Sequence, residues 1–332
     1  MRHTVDSLIS RRTLVTGAAA AGLLLAPGAA SAAGAAPAAD DRHGPGAARR
    51  RGTAGECWAR ARLRELERAY AGRIGAYALD TATGATVTHR AHERFPLLST
   101  FKLLAAAAIL HTARRRDPGL LDRVIYWTEA DLVPYSPVTA QHVRTGLPVA
   151  RVCEAAVSVS DNTAGNLMLR LLGGPGGLTR FARRLGDPVT RLDRWEVALN
   201  DWHPGERRDT TTPAAMACDV HRLLVRGGLA RPDRRRLTGW LVGSTTGGAR
   251  IRAGLPAHWT VGDKTGSSQS HGAANDVAIA WPPGAPPLVL AVYTNRDDPR
   301  APYDNAVIAQ TATVLATALR APDHTSVRPL AP

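Results

Sequence analysis

Ser99 and Lys102, a serine and a lysine three residues apart, are the first pair in the sequence that could carry out chemistry. They stand where an apolar helical stretch begins. A serine at a helix N-terminus has its oxygen near unpaired backbone N–H groups and the positive end of the helix dipole, which favour a developing anion. A neutral amine almost one turn further on could accept the serine proton. The spacing indicates a nucleophilic serine, although a capping serine beside a solvated lysine has the same spacing.

Two further short motifs contain side chains of the same kinds. Ser160, Asp161 and Asn162 stand between two helical stretches, where they could equally form an ordinary cap for the second helix. Lys264 and Gly266 follow directly after a predicted strand. A lysine beside a glycine that lets the backbone approach a ligand suits an anionic group, but any strand end could have this pattern.

Lysine is rare in this chain. Of the 42 basic residues, 40 are arginines and only Lys102 and Lys264 are lysines. Arginine keeps its proton at any working pH, whereas the pKa of a lysine can be lowered until it loses one. A lysine that persists among so many arginines therefore indicates a position where a guanidinium group cannot replace it, and both lysines lie in the motifs above.

The three motifs in this order, S-x-x-K, S-D-N and K-T-G, resemble those of class A β-lactamases and penicillin-binding proteins. The resemblance to the class A serine β-lactamases covers about residues 55–320. It includes Glu196 and Asn200 in a segment similar to the family's Ω-loop, and Arg194 and Asp209 resemble the ion pair that holds this loop. Penicillin-binding proteins lack a glutamate placed to hydrolyse the acyl-enzyme, so Glu196 favours a β-lactamase.

The resemblance implies an enzyme that opens the lactam amide of penicillins and cephalosporins through an acyl-enzyme on Ser99, without a cofactor or a metal. Backbone N–H groups of Ser99 and Ser267 would form the oxyanion hole. Lys102, or Glu196 through a water, would remove the serine proton, and both alternatives stay open. The implied catalytic residues are Ser99, Lys102, Ser160, Glu196 and Asn200. The implied substrate-binding residues are Asn162, Lys264, Thr265, Gly266, Ser267, Arg250 and Tyr135.

Some positions depart from the family pattern. Ala273 and Ala274 occupy the stretch where many relatives carry an arginine, and Arg250 resembles the alternative arginine of other members. Leu98 and Ser268 stand where some carbapenem-hydrolysing relatives have a disulfide, so carbapenem hydrolysis is not predicted. The sequence leaves two other functions open, a D-alanyl-D-alanine peptidase of the penicillin-binding kind and a β-lactam-binding sensor that acylates without turnover.

Strand-like patterns at both ends of the mature chain enclose a helical middle. Alternating apolar residues predict strands at 74–80, 86–89, 259–262, 276–281 and 288–294. Helical spacing predicts helices at 58–71 and 305–319, and nearly every apolar run from residue 100 to about 241 is helical. The two ends therefore share one sheet into which a helical domain is inserted, and the cleft between them is the expected site.

The resemblance makes the predicted fold more specific. It implies a two-lobed β-lactamase-like fold, α/β plus all-α, in which helices flank a five-stranded antiparallel sheet. The α/β lobe would comprise residues 55–92 and 243–322, and the inserted helical lobe residues 93–242. The resemblance also implies a monomer.

The ends of the chain predict an exported protein. Arg11 and Arg12 precede an apolar run, and the small residues 30–32 form an A-x-A cleavage site, which together indicate a signal peptide of the twin-arginine type over residues 1–32. Residues 33–54 are predicted to be a flexible leader, and residues 323–332 a tail. We therefore expect secretion with cleavage of the signal peptide.

Composition excludes several other classes of protein. The net charge is +14, but the arginines occur in scattered pairs and triplets without interleaved aromatic residues, so no nucleic-acid partner is predicted. No segment is long and apolar enough for a membrane anchor. The three cysteines are too few and too far apart for a disulfide framework or a metal site. Small-molecule β-lactams remain as the expected partners.

Overall fold

A computed structural model describes residues 54–320, so the predicted signal peptide, nearly all of the predicted leader and the predicted tail lie outside the described residues. The described residues form eight α-helices: α1 (Ala54–Tyr70), α2 (Phe101–Arg115), α3 (Val149–Ser158), α4 (Asn162–Leu171), α5 (Pro175–Arg184), α6 (Pro213–Leu224), α7 (Arg231–Val242) and α8 (Asn305–Arg320). They also form nine strands: β1 (Arg73–Asp80), β2 (Thr86–His89), β3 (Phe95–Pro96), β4 (Val124–Ile125), β5 (Leu147–Pro148), β6 (Thr210–Thr211), β7 (Thr260–Ser267), β8 (Ala274–Trp281) and β9 (Leu288–Asn295).

The main sheet joins both ends of the chain. Its strand order is β2-β1-β9-β8-β7, and every neighbouring pair is antiparallel. This confirms the predicted five-stranded antiparallel sheet with helices around it. The central strands β8 and β9 are buried along almost their whole length, because both faces of the sheet are covered.

The two faces of the sheet belong to two hydrophobic clusters. In β9, Val289 and Ala291 pack into a large cluster with the helical middle of the chain, whereas Leu288 and Leu290 pack into a second cluster with α1 and α8. Successive side chains of a strand point to opposite faces, so an uninterrupted apolar strand serves both clusters at once.

Helix α2 forms the centre of the helical region. Every residue from Phe101 to Leu110 is buried, and Ala105–Ala108 are four consecutive alanines. Small side chains let neighbouring helices approach α2 closely, and the contacts with α3, α4, α5 and α7 fix its position. The short 3-10 turn Leu98–Thr100, which carries Ser99 and leads into α2, contacts β7 and β8, so Ser99 and Lys102 lie beside the sheet.

Three sequence predictions differ from the structure at their boundaries. Strand β7 continues through Ser267, so Lys264 and Gly266 lie inside the strand and not directly after it. Helix α1 begins at Ala54, within the predicted leader. Two short two-stranded sheets, β3 with β6 and β4 with β5, also occur in the region expected to be helical. Strands of two residues are too short to show a period in the sequence.

Among the described helices, none has both the length and the apolar character needed to cross a bilayer.

Candidate active site

All twelve predicted site residues meet at one cleft of about 560 Å³ between the sheet and the helical region. Nine of them line the cleft: Ser99, Tyr135, Ser160, Asn162, Asn200, Arg250, Thr265, Gly266 and Ser267. The other three, Lys102, Glu196 and Lys264, are buried beside it. Buried charged groups of this kind need partners.

Ser99 lies in a short 3-10 turn that continues directly into α2. The preceding residue, Leu98, has a φ of 47°, in the left-handed region. Strand β7 passes close to this turn at Gly266, where an added Cβ would lie 2.8 Å from Leu98 Cβ and 3.0 Å from the Ser99 nitrogen. Because only a glycine allows this approach, Gly266 brings the backbone of Ser267 next to that of Ser99.

The amine of Lys102 is surrounded by acceptors. Its Nζ lies 3.0 Å from Ser99 Oγ, 2.9 Å from the carbonyl oxygen of Ser160 and 2.6 Å from Asn162 Oδ1. Glu196 Oε1 is a fourth neighbour, at 3.0 Å. Burial lowers the pKa of Lys102, and the negative charge of Glu196 opposes this shift.

The carboxylate of Glu196 is held from several sides. Its Oε1 accepts a hydrogen bond from Ser99 Oγ at 3.2 Å, and its Oε2 accepts one from Asn200 Nδ2 at 2.8 Å. The backbone of Glu196 is fixed by Asn166, whose Oδ1 accepts from the Glu196 N–H and whose Nδ2 donates to the Glu196 carbonyl, both at 2.9 Å. Asn200 Oδ1 is buried and accepts no hydrogen bond from the described residues.

Ser160 connects the two lysines. Lys102 Nζ donates to its carbonyl oxygen, and Lys264 Nζ donates to its Oγ at 3.0 Å. Burial and the positive charge of Lys102 lower the pKa of Lys264 to about 7, although the carboxylates of Asp263 and Asp276 oppose this shift. Lys264 can therefore gain or lose its positive charge near neutral pH.

The S-D-N motif positions one wall of the cleft. Asp161 caps α4 by accepting from the Ala164 N–H at 2.8 Å, and it also accepts from Thr139 Oγ1 at 2.8 Å. Asn162 donates from its backbone N–H to the carbonyl oxygen of Tyr135 at 3.0 Å. The cap that the sequence suggested therefore exists, and the same turn also holds the loop that carries the exposed Tyr135.

Arg250 is buried at the other end of the cleft, 4% exposed. Its Nη1 donates to the carbonyl oxygens of Gly266 at 2.8 Å and Asn275 at 2.7 Å. Its Nη2 donates to Ser267 Oγ at 2.5 Å, and its Nε donates to Asn305 Oδ1 at 2.8 Å. The planar guanidinium group therefore fixes both the end of β7 and the start of α8.

The segment 191–210, which contains the residues that resemble the family's Ω-loop, is closed at its ends. Arg191 and Thr210 form a backbone bridge there. Asp209 is fully buried and accepts from the Arg194 N–H at 2.9 Å and from Arg194 Nε at 2.6 Å. In the ion pair that the sequence suggested, Asp209 is thus buried and Arg194 partly exposed, and removal of Arg194 would leave a buried carboxylate without its cation.

The sequence did not indicate six residues of the site, namely Asn166 and the lining residues Thr245, Thr246, Gln269, Tyr303 and Asn305. Asn166 could have been found, because it lies four residues after Asn162 in α4 and so on the same helix face. No motif or spacing in the sequence connects the other five with the predicted site residues.

The fold and the cleft define an enzyme in which Lys102 and Glu196 both contact the side-chain oxygen of Ser99. The model of the beta-lactamase enzyme family matches residues 59–319. The chain belongs to this family and is a class A serine β-lactamase.

Known relatives agree with this assignment. Over 261 residues, the chain is 53% identical to "Beta-lactamase AST-1" of Nocardia asteroides, which covers 78% of this chain and 83% of that protein. It is 49% identical over 251 residues to "Carbapenem-hydrolyzing beta-lactamase KPC" of Klebsiella oxytoca, with 75% and 84% covered. A crystal structure of a β-lactamase from Streptosporangium roseum is similar with a TM-score of 0.78 at 56% identity, and the match covers 79% of this chain and 98% of that one.

Proposed function

We propose that this β-lactamase hydrolyses penicillins and cephalosporins through an acyl-enzyme on Ser99, and that a water activated by Glu196 releases the product. The observation that carries the proposal is the convergence of Lys102 Nζ and Glu196 Oε1 on Ser99 Oγ, at 3.0 and 3.2 Å. A hydroxyl between two potential bases can lose its proton as it attacks.

In the first step, Ser99 Oγ bonds to the lactam carbonyl carbon and its proton passes to Lys102 or to Glu196. The lowered pKa of Lys102 supports its amine as the proton acceptor, and the contact of Glu196 with Ser99 supports the carboxylate in that role. Both groups are therefore candidates for the base of the first step. The lactam C–N bond then breaks, Ser160 gives its proton to the ring nitrogen, and Ser160 is reprotonated by the proton that left Ser99. The contact of Lys264 with Ser160 Oγ supports this route.

Binding of the substrate uses the two ends of the cleft. The carboxylate of the lactam binds at Lys264, Thr265 and Ser267, with Arg250 behind them, because this end carries the cations and the hydroxyl donors. Asn162 and Asn200 orient the side-chain amide and the water, and the exposed ring of Tyr135 packs against the substrate. Backbone N–H groups of Ser99 and Ser267 stabilise the oxyanion.

In the second step, a water oxygen bonds to the ester carbonyl carbon and Glu196 takes its proton. The bond to Ser99 Oγ then breaks, the proton returns to this oxygen, and the ring-opened product leaves. The support is the placement of Asn200, which donates to Glu196 Oε2 and has a second oxygen, Oδ1, able to accept from the same water.

The test follows hydrolysis of a chromogenic cephalosporin by the wild type and by Glu196→Ala, with mass spectrometry to detect the acyl-enzyme. We expect turnover by the wild type and accumulation of the acyl-enzyme in the variant. The matched control is Glu206→Gln, on the same loop but paired with Arg208. Stoichiometric acylation without turnover in the wild type would favour a binding protein, and cleavage of acyl-D-Ala-D-Ala peptides would favour a peptidase.

We also propose that the enzyme is secreted as a monomer, with lobes formed by residues 55–92 with 243–322 and by residues 93–242. The support for export is the sequence of residues 1–32, and the support for the lobes is that helices α2–α7 all fall within the second range. Replacement of Arg11 and Arg12 by lysine should keep the enzyme inside the cell. Detection of the same activity in the medium would contradict a twin-arginine route.

A further inference from the structure

Two further lining residues of the cleft, Tyr303 and Asn305, contact Arg250. Tyr303 lies between β9 and α8, two residues before Asn305, whose Oδ1 accepts from Arg250 Nε at 2.8 Å. The last turn before α8 thus brings an aromatic residue to the edge of the proposed carboxylate site.

The ring of Tyr303 is held but not covered. Its centroid lies 5.5 Å from Arg250 Cζ, within the range of a cation–π contact. Arg250 is itself fixed by four hydrogen bonds, so the ring packs against a rigid partner. The side chain is nevertheless 38% exposed. A rigid, partly exposed aromatic ring in a cleft provides a surface on which a flat group can stack.

The chemistry of the substrates decides which group reaches this ring. In a cephalosporin, the carbon that carries the carboxylate is bonded to C3, which bears the variable substituent. In a penicillin, the neighbouring carbon carries only two methyl groups. A substrate whose carboxylate binds at Lys264, Thr265 and Ser267 therefore directs its C3 group toward the residues beside Arg250. The other aromatic residue of the cleft, Tyr135, lies next to Asn162, at the end that the proposed function assigns to the acylamino side chain of the substrate.

We propose that Tyr303 is a specificity-determining residue that favours cephalosporins with an aromatic C3 substituent. The inference rests on the proposed function, because it needs the carboxylate to bind beside Arg250. An offset or edge-to-face contact between two rings is worth roughly two- to tenfold in an equilibrium constant. Tyr303 therefore changes the preference among substrates, not the chemical steps at Ser99.

A different role would be indirect, with Tyr303 only supporting the guanidinium group of Arg250. The two roles predict different substrate dependence. Every penicillin and cephalosporin has the carboxylate, so loss of support for Arg250 would weaken all of them alike. Loss of a stacking surface weakens only those with an aromatic C3 group.

The experiment measures kcat/KM of the wild type, Tyr303→Ala and Tyr303→Phe with three substrates that share one acylamino side chain. They are a cephalosporin with an aromatic C3 substituent, its C3-methyl analogue and the corresponding penicillin. For Tyr303→Ala we expect kcat/KM to fall roughly two- to tenfold with the first substrate and to stay unchanged with the other two. Tyr303→Phe, which keeps the ring, should match the wild type, and so should Tyr126→Ala, a control at an exposed tyrosine outside the cleft.

Equal losses with all three substrates would overturn the proposal in favour of the indirect role, and so would wild-type values for Tyr303→Ala throughout. Both results leave the proposed function intact, because all three substrates are still hydrolysed. Failure of the wild-type enzyme to turn over any of the three substrates would instead contradict the proposed function.

Discussion

Lys102 and Glu196 form an ion pair in which both side chains are completely buried, with Nζ and Oε1 3.0 Å apart. Taking two charges out of water has a large cost, which a single contact does not fully return. Removal of one partner would leave the other charge buried and uncompensated, so such a pair is also costly to break. Here the remaining cost is offset by hydrogen bonds to Ser99, Asn162 and Asn200. An arrangement of this kind supports proton transfer more than stability.

Replacement of Lys102 by arginine tests whether a proton-accepting amine is required. Lys102→Arg keeps the charge, but a guanidinium group cannot lose its proton at working pH, and the pocket has no space for it because the backbone of Gly165 lies against Lys102 Cε. We expect kcat/KM to fall about 10²- to 10⁴-fold, as for loss of a general base. The measurement is hydrolysis of a chromogenic cephalosporin, with the melting temperature as control for folding. A variant with wild-type rates would show that this lysine persists by chance.

Asn166 is a positioning residue for Glu196. Asn166→Ala removes both hydrogen bonds that hold the Glu196 backbone, so the carboxylate shifts relative to the ester. Because misplacement by about 1 Å can cost 10²-fold, we expect deacylation to slow by about 10- to 100-fold. Mass spectrometry should detect the accumulated acyl-enzyme, and stopped-flow measurements give the acylation rate. An unchanged acylation rate would favour Lys102 as the first base. Absence of acyl-enzyme would contradict the positioning role.

Arg250 holds the end of β7 and contributes positive charge to the carboxylate end of the cleft. Arg250→Ala should raise KM for penicillins by about tenfold, which corresponds to about 1.4 kcal/mol, with a smaller change in kcat. Arg250→Lys should restore part of the binding, because it keeps the charge but loses the planar fork that holds Gly266, Asn275 and Ser267. Steady-state kinetics with one penicillin would check both variants. Unchanged values for the alanine variant would remove Arg250 from the site.

The charge of Lys264 should make binding depend on pH. Its pKa is lowered to about 7, so the cation is present below this pH and is lost as the pH rises through it. We expect KM for penicillins to increase from pH 6 to pH 9. Lys264→Arg stays protonated over this range and should show a flatter profile. If the variant and the wild type show the same alkaline increase, another group is responsible.

Asp219 provides a test of stability outside the cleft. Burial and the nearby carboxylate of Asp187 raise the pKa of Asp219 to about 9, although Arg222 and Arg183 oppose this shift. The folded state therefore keeps a proton that the unfolded state loses above its ordinary pKa of 3.8, so this group's contribution to stability falls as the pH rises between the two values.

Asp219→Asn cannot ionise and is close to the aspartate in size. We expect its melting temperature to equal that of the wild type near pH 4 and to exceed it by about 3 °C or more at pH 8, since 1 kcal/mol corresponds to about 2–4 °C in a protein of this size. Thermal unfolding followed by circular dichroism across this range checks the prediction. A difference that does not depend on pH would contradict it.

The sequence predicted elements well where one physical rule dominated. The strands β1, β8 and β9 were predicted almost to their ends, because buried strands have apolar residues throughout. Strand β7 was predicted to end at Gly262, five residues too early. There, polar groups such as Lys264 and Thr265 are buried by contacts with Ser160 and Thr246, and these contacts join distant parts of the chain.

In the site too, the sequence indicates contacts between near neighbours in the chain but not contacts between distant residues. Ser99 and Lys102 are one helical turn apart, and the spacing alone showed that they could meet. Tyr303 and Arg250 are 53 positions apart, and only the pairing of β8 with β7 and β9 brings their segments together. No local pattern records such a contact, so the sequence motifs indicated the residues around Ser99 but not Tyr303.

Both lysines of the chain are completely inaccessible, since Lys102 and Lys264 each have 0% exposed surface. The surface therefore presents no side-chain amine at all, because these two are the only lysines in the sequence. Amine-directed reagents that label most proteins at many positions are left with the α-amino group of the folded enzyme. A single dye, tether or solid support could thus be attached at one defined point, with the two lysine amines protected by burial.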